Sequence, residues 1–360
     1  MSDRPTVAVA MSGGVDSSVA AALLVERGYR VIGLMLRLWN EPGTEADNRC
    51  CTPDAMALAR RVAARLEIPF YALDVQDTFR STVVQAFIDG HAQGITPNPC
   101  LVCNRHIRWG FLLDRALAMG ADCLATGHYA RVRTAEDGRV KLLRGMDAAK
   151  DQSYVLSILN QEQLARTLYP VGEFSKPEVR DLARKYDLPV ASRADSQDLC
   201  FLGKGDYRTF LARNAPQLAQ SGPIVSPAGE LLGQHEGLAN YTIGQRKGLG
   251  LSSPAPMYVI GKDVGRNILV VGPEDALGQR ALEAGGINWI SGEPPAGAMR
   301  VQVKIRYKAT EVWGTVLPRS SDRVRVEFDQ PLRDITPGQR VVFYQDEVCL
   351  GGGAIQTAGG

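Results

Sequence analysis

With 360 residues, 45% of them hydrophobic and 22% charged, the chain has the apolar material for two or three globular domains. Its formal net charge of +2 announces no nucleic-acid partner in bulk, so any basic surface must arise from local clustering. No apolar run approaches the roughly 18 residues that span a bilayer, and no signal-peptide cleavage region follows Met1.

The chain therefore reads as cytoplasmic, where seven cysteines do not imply a disulfide framework. Cys123 and Cys349 read as inert core thiols, whereas Cys50 and Cys51, in a polar loop, are either reactive or incidental.

In chain order, Thr6–Ala10 reads as a buried strand and residues 17–27 as a helix. Val31–Met35 is a second strand, and a helix over 53–66 starts with proline in its first turn. Phe70–Asp74 is a third strand, followed by a helix over 104–119 and a strand over Cys123–Thr126. Strands that alternate with helices and lack polar alternation predict a parallel sheet covered on both faces. The first domain is thus α/β and doubly wound, with ligands expected beyond the carboxyl ends of its strands.

Past residue 205 the pattern changes. Residues 221–275 are rich in Gly and Pro and carry short strands such as Met257–Ile260 and Asn267–Val271. From about 298 the alternation is strict, with Val301, Val303, Ile305 and Tyr307 facing one way and Arg300, Gln302, Lys304 and Arg306 the other. Val324–Phe328 and Val341–Tyr344 continue it, predicting a small antiparallel β-barrel. The expected domains are 1–205, a β-rich 206–278, and a barrel over 279–360.

The chemistry begins where the first strand ends, at Ala10-Met11-Ser12-Gly13-Gly14-Val15-Asp16-Ser17-Ser18. Two glycines let the backbone turn sharply and approach a ligand. The hydroxyls of Ser12, Ser17 and Ser18, with the open amides of a helix start, offer donors to an anion. There is no Gly-Lys-Ser/Thr and no G-x-G-x-x-G, so the turn is neither a Walker A loop nor a dinucleotide fingerprint.

A second constellation is built on cysteines. Thr96-Pro97-Asn98-Pro99-Cys100-Leu101-Val102-Cys103-Asn104-Arg105 is a stiff loop running into a helix, with Cys103 expected at the helix start. There the dipole and nearby Arg105 would favour its thiolate. Cys200 follows in Ser196-Gln197-Asp198-Leu199-Cys200.

The heptapeptide Ser12–Ser18 resembles the PP-loop of the N-type ATP pyrophosphatases, which holds the pyrophosphate that leaves when ATP adenylates a substrate. Four further stretches run in the order of the tRNA-specific 2-thiouridylase family and resemble its motifs: Pro97–Asn104, Ala125–Tyr129, Lys150–Tyr154 and Ser196–Cys200. Ile243-Gly244-Gln245-Arg246-Lys247-Gly248 is a fifth.

The resemblance implies ATP with Mg2+, bound by Ala10, Met11, Ser12, Gly13, Gly14, Val15, Asp16, Ser17, Leu36 and Gly127. It implies adenylation of O2 of a wobble uridine (position 34), then sulfur transfer from a persulfide on Cys200 released by Cys103. The partners implied are the anticodon arm of tRNA and a persulfide donor, either a cysteine desulfurase or a relay carrier. The tRNA would be met by Asn98, Pro99, Cys100, His128, Lys150, Asp151, Gln152, Arg306, Tyr307 and Gln339. Between 300 and 340, nine Lys or Arg against five Asp or Glu suit phosphate contacts.

One position departs from the family pattern: many members carry Asp where this chain has Cys100. Cys100-x-x-Cys103 together with Cys200 supplies three thiols. A 4Fe–4S iron–sulfur cluster on Cys100, Cys103 and Cys200 is thus an alternative sulfur route, and zinc lacks an evident fourth ligand. Another ATP pyrophosphatase with a different substrate is the other enzyme reading, and a tRNA-binding scaffold without catalysis the non-enzyme one.

Overall fold

The computed structural model describes residues 4–41, 43, 52–194, 199–202 and 206–359. Cys50, Cys51 and the Ser196-Gln197-Asp198 part of the second cysteine motif lie outside the described residues.

Strand β1 (Thr6–Ala10) leads into helix α1 (Val15–Glu26), then β2 (Arg30–Arg37), α2 (Pro53–Arg65) and β3 (Phe70–Asp74). Thr52 caps α2, its hydroxyl accepting from Ala55 N at 3.0 Å, with Pro53 in the first turn. Helix α3 (Pro99–Cys103) runs without a break through the π-helical Asn104–Leu112 into α4 (Leu113–Ala118), and β4 (Cys123–Ala125) follows.

With β7 (Thr167–Leu168) these strands form a parallel sheet in the order β3-β2-β1-β4-β7. Val7, Ala8 and Val9 of β1 are buried because helices cover both faces. The middle of helix α1, from Val19 to Leu24, is unbroken apolar because it is wedged between that sheet and α5 (Lys176–Lys185).

Residues beyond 205 form two further bodies. β8 (Gly222–Val225), β9 (Leu231–His235), β10 (Tyr258–Asp263) and β11 (Ile268–Gly272) make a four-stranded sheet. The barrel comprises β12 (Gln279–Trp289), β13 (Met299–Lys304), β14 (Val312–Pro318), β15 (Arg323–Leu332), β16 (Arg340–Gln345) and β17 (Val348–Ala358). It closes because β12 pairs with both β15 and β17, and the alternating Val301, Val303, Val324 and Val326 fill its centre.

One pairing links the first domain to the last. The hairpin of β5 (Ala130–Thr134) and β6 (Val140–Arg144) adds to the barrel sheet, with Leu142 opposite Cys349 and Leu143 opposite Val348. Leu142, Tyr154, Val342, Tyr344 and Cys349 then share one core with Trp109 and Leu112. The barrel is thereby packed directly onto the domain that carries the phosphate loop.

Candidate active site

The phosphate loop is held by steric fit. Gly13 has φ +71°, and a Cβ on it would stand 2.4 Å from the carbonyl oxygen of Ala55, so α2 leaves room for glycine alone. Gly14 caps α1 at an ordinary φ of −90°. Ser17 Oγ donates to Gly14 O at 3.2 Å and accepts from Ser12 N at 3.2 Å, tying the turn together. Ser18 is fully buried and donates to Gly14 O at 2.8 Å, so of the three hydroxyls only those of Ser12 and Ser17 border the cavity.

Asp16 stands in the first turn of α1. Its Oδ1 accepts from Lys176 Nζ at 2.6 Å and from the Tyr129 hydroxyl at 2.7 Å. Lys176 opens α5 behind a Ser175–Glu178 capping box, and its own amide donates to Asp147 Oδ2 at 2.9 Å, so both ends of the residue are anchored. Arg193 donates to Gly13 O at 2.7 Å from the other side of the loop. A Cβ on Gly127 would lie 2.6 Å from Ser17 N, so the turn after β4 presses directly on the start of α1.

These groups border a cavity of about 360 Å³ at the carboxyl ends of β1, β2 and β4. Among its described lining residues, Arg108, Lys150, Lys176 and Arg193 face one carboxylate, Asp16, a surplus of positive charge suited to a triphosphate. Leu36 lines it on the β2 side.

Cys103 and Cys200 line this same cavity, the first buried and the second half-buried, while Cys100 is exposed and not part of its lining. No group of three His, Cys, Asp or Glu among the described residues stands ready to hold a metal ion. The helix carrying Cys103 begins earlier than the sequence implies, because Asn98 caps it, accepting from Cys100 N at 3.2 Å, and Pro99 occupies its first position. Cys103 thus sits one turn inside the helix, so the open amides of the helix start lie nearer Cys100.

Several residues expected to face tRNA are placed otherwise. His128 is a buried wall of the cavity, with Nδ1 2.7 Å from Thr126 Oγ1 and Nε2 3.4 Å from Arg108. Burial, then the Arg108 charge, holds its pKa well below the usual histidine range, so the ring is neutral. Asp151 is turned inward, accepting from Gly145 N, Ser153 N and Ser153 Oγ at 2.9–3.1 Å, which shapes the loop that presents Lys150 and Gln152 to the cavity. Pro99 is buried.

Arg306 and Gln339 are struts between domains rather than surface groups. Arg306 donates to Ile243 O and to the Thr336 hydroxyl, and Gln339 donates to Thr96 O at 2.8 Å. Tyr307, by contrast, reaches from the barrel to line the cavity. Arg108, Lys176 and Arg193 also line it, outside every motif in the sequence, and Tyr129 ends the Ala125–Tyr129 motif with no site role expected of it. The Ser175-Lys176-Pro177-Glu178 helix start marks Lys176 locally but says nothing of where the lysine points.

Comparison with known proteins gives the family. A family model described as tRNA methyl transferase HUP domain matches residues 5–204. Its companions, a tRNA methyl transferase PRC-barrel domain and an aminomethyltransferase beta-barrel domain, match 208–273 and 279–355. The tRNA-specific 2-thiouridylase MnmA of Moorella thermoacetica is 50% identical over 353 residues, covering 97% of this chain and 99% of that protein. Proteins of the same name from Heliobacterium modesticaldum and Geotalea uraniireducens are 48% and 46% identical, covering 98% and 99% of this chain and 92% and 96% of theirs. The chain belongs to the tRNA-specific 2-thiouridylase family. Membership suits the cavity better than the methyl transferase wording of the domain models, because a phosphate loop and two cysteines share one chamber. Among the described residues of this family member, no helix is long and apolar enough to cross a membrane.

Proposed function

We propose that this chain is an ATP-dependent tRNA sulfurtransferase that 2-thiolates the wobble uridine at position 34 and carries the incoming sulfur as a persulfide on Cys200. The observation that carries the reading is that the phosphate loop, Cys103 and Cys200 border one cavity of about 360 Å³.

Adenylation needs the triphosphate held still while uridine O2 attacks the α-phosphorus and pyrophosphate leaves. Lys176 and Arg193 line the cavity beside the loop, where they would meet that departing charge, and the Ser12 and Ser17 hydroxyls line it too. Asp16 fits a magnesium-bearing nucleotide, since a half-exposed carboxylate at the loop is the one acid among the described lining residues. Magnesium on that nucleotide would neutralise phosphate charge.

Conversion of O2 to an adenylate turns a poor leaving group into AMP. The terminal sulfur of the Cys200 persulfide then attacks C2 and AMP departs. The Cys103 thiolate next attacks Cys200 Sγ, the sulfur–sulfur bond to the substrate breaks, and the thiocarbonyl is released with a Cys103–Cys200 disulfide left behind. A thiol reductant closes the cycle, and a cysteine desulfurase or relay carrier reloads Cys200.

A uridine inside a folded anticodon loop must be flipped out to enter such a chamber. Lys150 and Tyr307 on the lining, and Asn98 and Cys100 beside it, are the groups positioned to meet the anticodon arm. Cys100 stands outside the lining shared by the other two thiols, which favours the persulfide route over a three-cysteine cluster.

Single Cys→Ser variants test this under anaerobic conditions. Cys200→Ser should never load sulfur, Cys103→Ser should hold a persulfide without turning over, and Cys100→Ser should keep thiolating. Parallel loss of bound iron and activity in all three variants would overturn the persulfide route.

A further inference from the structure

A second cavity of about 400 Å³ opens where the three domains meet, well apart in the chain from the residues around the phosphate loop. Its wall combines Gln93–Thr96 of the first domain, Ile243 and Ile260–Lys262 of the central domain, and Ile335–Pro337 with Gln356–Ala358 of the barrel. Among the described residues lining it, Lys262 alone is charged. Gln279, Gln356 and Thr336 add neutral hydrogen-bonding groups, and Ile95, Ile243, Ile260 and Ile335 give it apolar surface.

The Lys262 ammonium is buried and has no hydrogen-bond partner. Nearby His91 offers no counter-charge, since an imidazole is neutral or cationic, and its Nδ1 likewise has no hydrogen-bond partner among the described residues. Burial pushes Lys262 down to about 8, which still leaves it mostly cationic at neutral pH. An unpaired buried cation is destabilising unless something compensates it. The ammonium has no accessible surface as it stands, so a ligand would draw it into the cavity by rotation of its four-carbon stem, a move that breaks no hydrogen bond among the described residues.

We propose that this junction cavity binds a small organic anion whose carboxylate or phosphate head pairs with Lys262 and whose apolar body lies against the four isoleucines. The volume falls within the range of small-molecule sites, roughly 300–1,000 Å³. Such an occupant would touch the segment that continues from Thr96 through Pro97 to Cys103. That segment is already anchored on the barrel, with Thr96 N donating to Pro337 O at 2.9 Å. The inference concerns a site separate from the sulfur-transfer chamber and does not rest on the proposed reaction.

The test is calorimetric titration of the full chain with hexanoate, hexyl phosphate, inorganic phosphate and 1-hexanol, repeated on Lys262→Met and Lys262→Arg. Methionine replaces an unpartnered buried charge with an apolar chain of similar length, so the variant should fold at least as well as wild type. It also leaves the phosphate loop intact, so signal from that loop persists in it and is subtracted. Hexanoate or hexyl phosphate should bind the wild-type chain at one site, and whichever binds tells the head group. Hexanol and inorganic phosphate should bind at least about tenfold more weakly, methionine should weaken the anion by about tenfold or more, and arginine should retain it. Absence of binding by both hexyl anions, or equal binding by Lys262→Met, would overturn the proposal. Inorganic phosphate binding as tightly as hexyl phosphate would also overturn it, because the apolar wall would then contribute nothing.

Discussion

Alanine at Gly127 separates the position of the phosphate loop from its mere presence. The added Cβ would stand 2.6 Å from Ser17 N, 2.7 Å from Asp16 C and 3.0 Å from Ser17 Cα. Ordinary contact begins near 3.4 Å, so the turn and α1 must part by about 0.8 Å. Every atom met is backbone, so no side chain can swing aside to absorb the clash. Overpacking of this kind costs about 1–3 kcal/mol of stability. Asp16 moves with its backbone and leaves the Lys176 and Tyr129 contacts at 2.6 and 2.7 Å. A displacement near 1 Å at a reacting centre costs about 10²-fold, so kcat/KM for tRNA-dependent pyrophosphate release should fall by about 10- to 100-fold. Gly14→Ala is the internal control for stability: its Cβ would meet only the Ser12 hydroxyl at 3.3 Å, and its φ is ordinary. That variant should melt like wild type. If Gly127→Ala also melts like wild type and releases pyrophosphate within about twofold of it, the steric reasoning fails.

Three further outcomes follow from the same geometry. Lys176→Met removes a 2.6 Å ion pair whose carboxylate is a third exposed, so the loss should be about 1.5–2 kcal/mol, seen as about 10- to 30-fold in kcat/KM for ATP. An unchanged kcat/KM would remove Lys176 from the nucleotide site. Asp151→Asn leaves one carbonyl oxygen for three donors, and should lower the denaturant-unfolding free energy by about 2–3 kcal/mol. A midpoint equal to wild type would show the loop is held by other contacts. His91 is held down to about 4, first by burial and then by Lys262, against an ordinary value of 6.5. The unfolded chain therefore binds more protons in between. The stability this group contributes is complete above about pH 6.5 and is lost as pH falls toward 4, up to about 3 kcal/mol. Its imidazole resonance should not titrate between pH 7.5 and 5.5, and a midpoint above 6 in an NMR titration contradicts the burial argument.

The sequence alone determined what depends on neighbours along the chain. Unbroken apolar runs marked β1, β2 and β3 as strands, and period-two alternation marked the barrel. Coverage on both faces holds only for the inner strands, however: β3 is the edge of its sheet, with Tyr71 and Ala72 exposed. The phosphate loop was legible for the same reason: the glycines, hydroxyls and aspartate that shape it are contiguous. Tertiary structure alone decided which distant groups converge on that loop. Lys176 and Tyr129 reach Asp16 across 160 and 113 residues, and no local pattern records the direction of either side chain. It also decided that Arg306 and Gln339 face inward. A charged or amide side chain reads as surface until a partner from another domain desolvates and satisfies it, and those partners lie on segments that meet only once the barrel docks through β6 and β17.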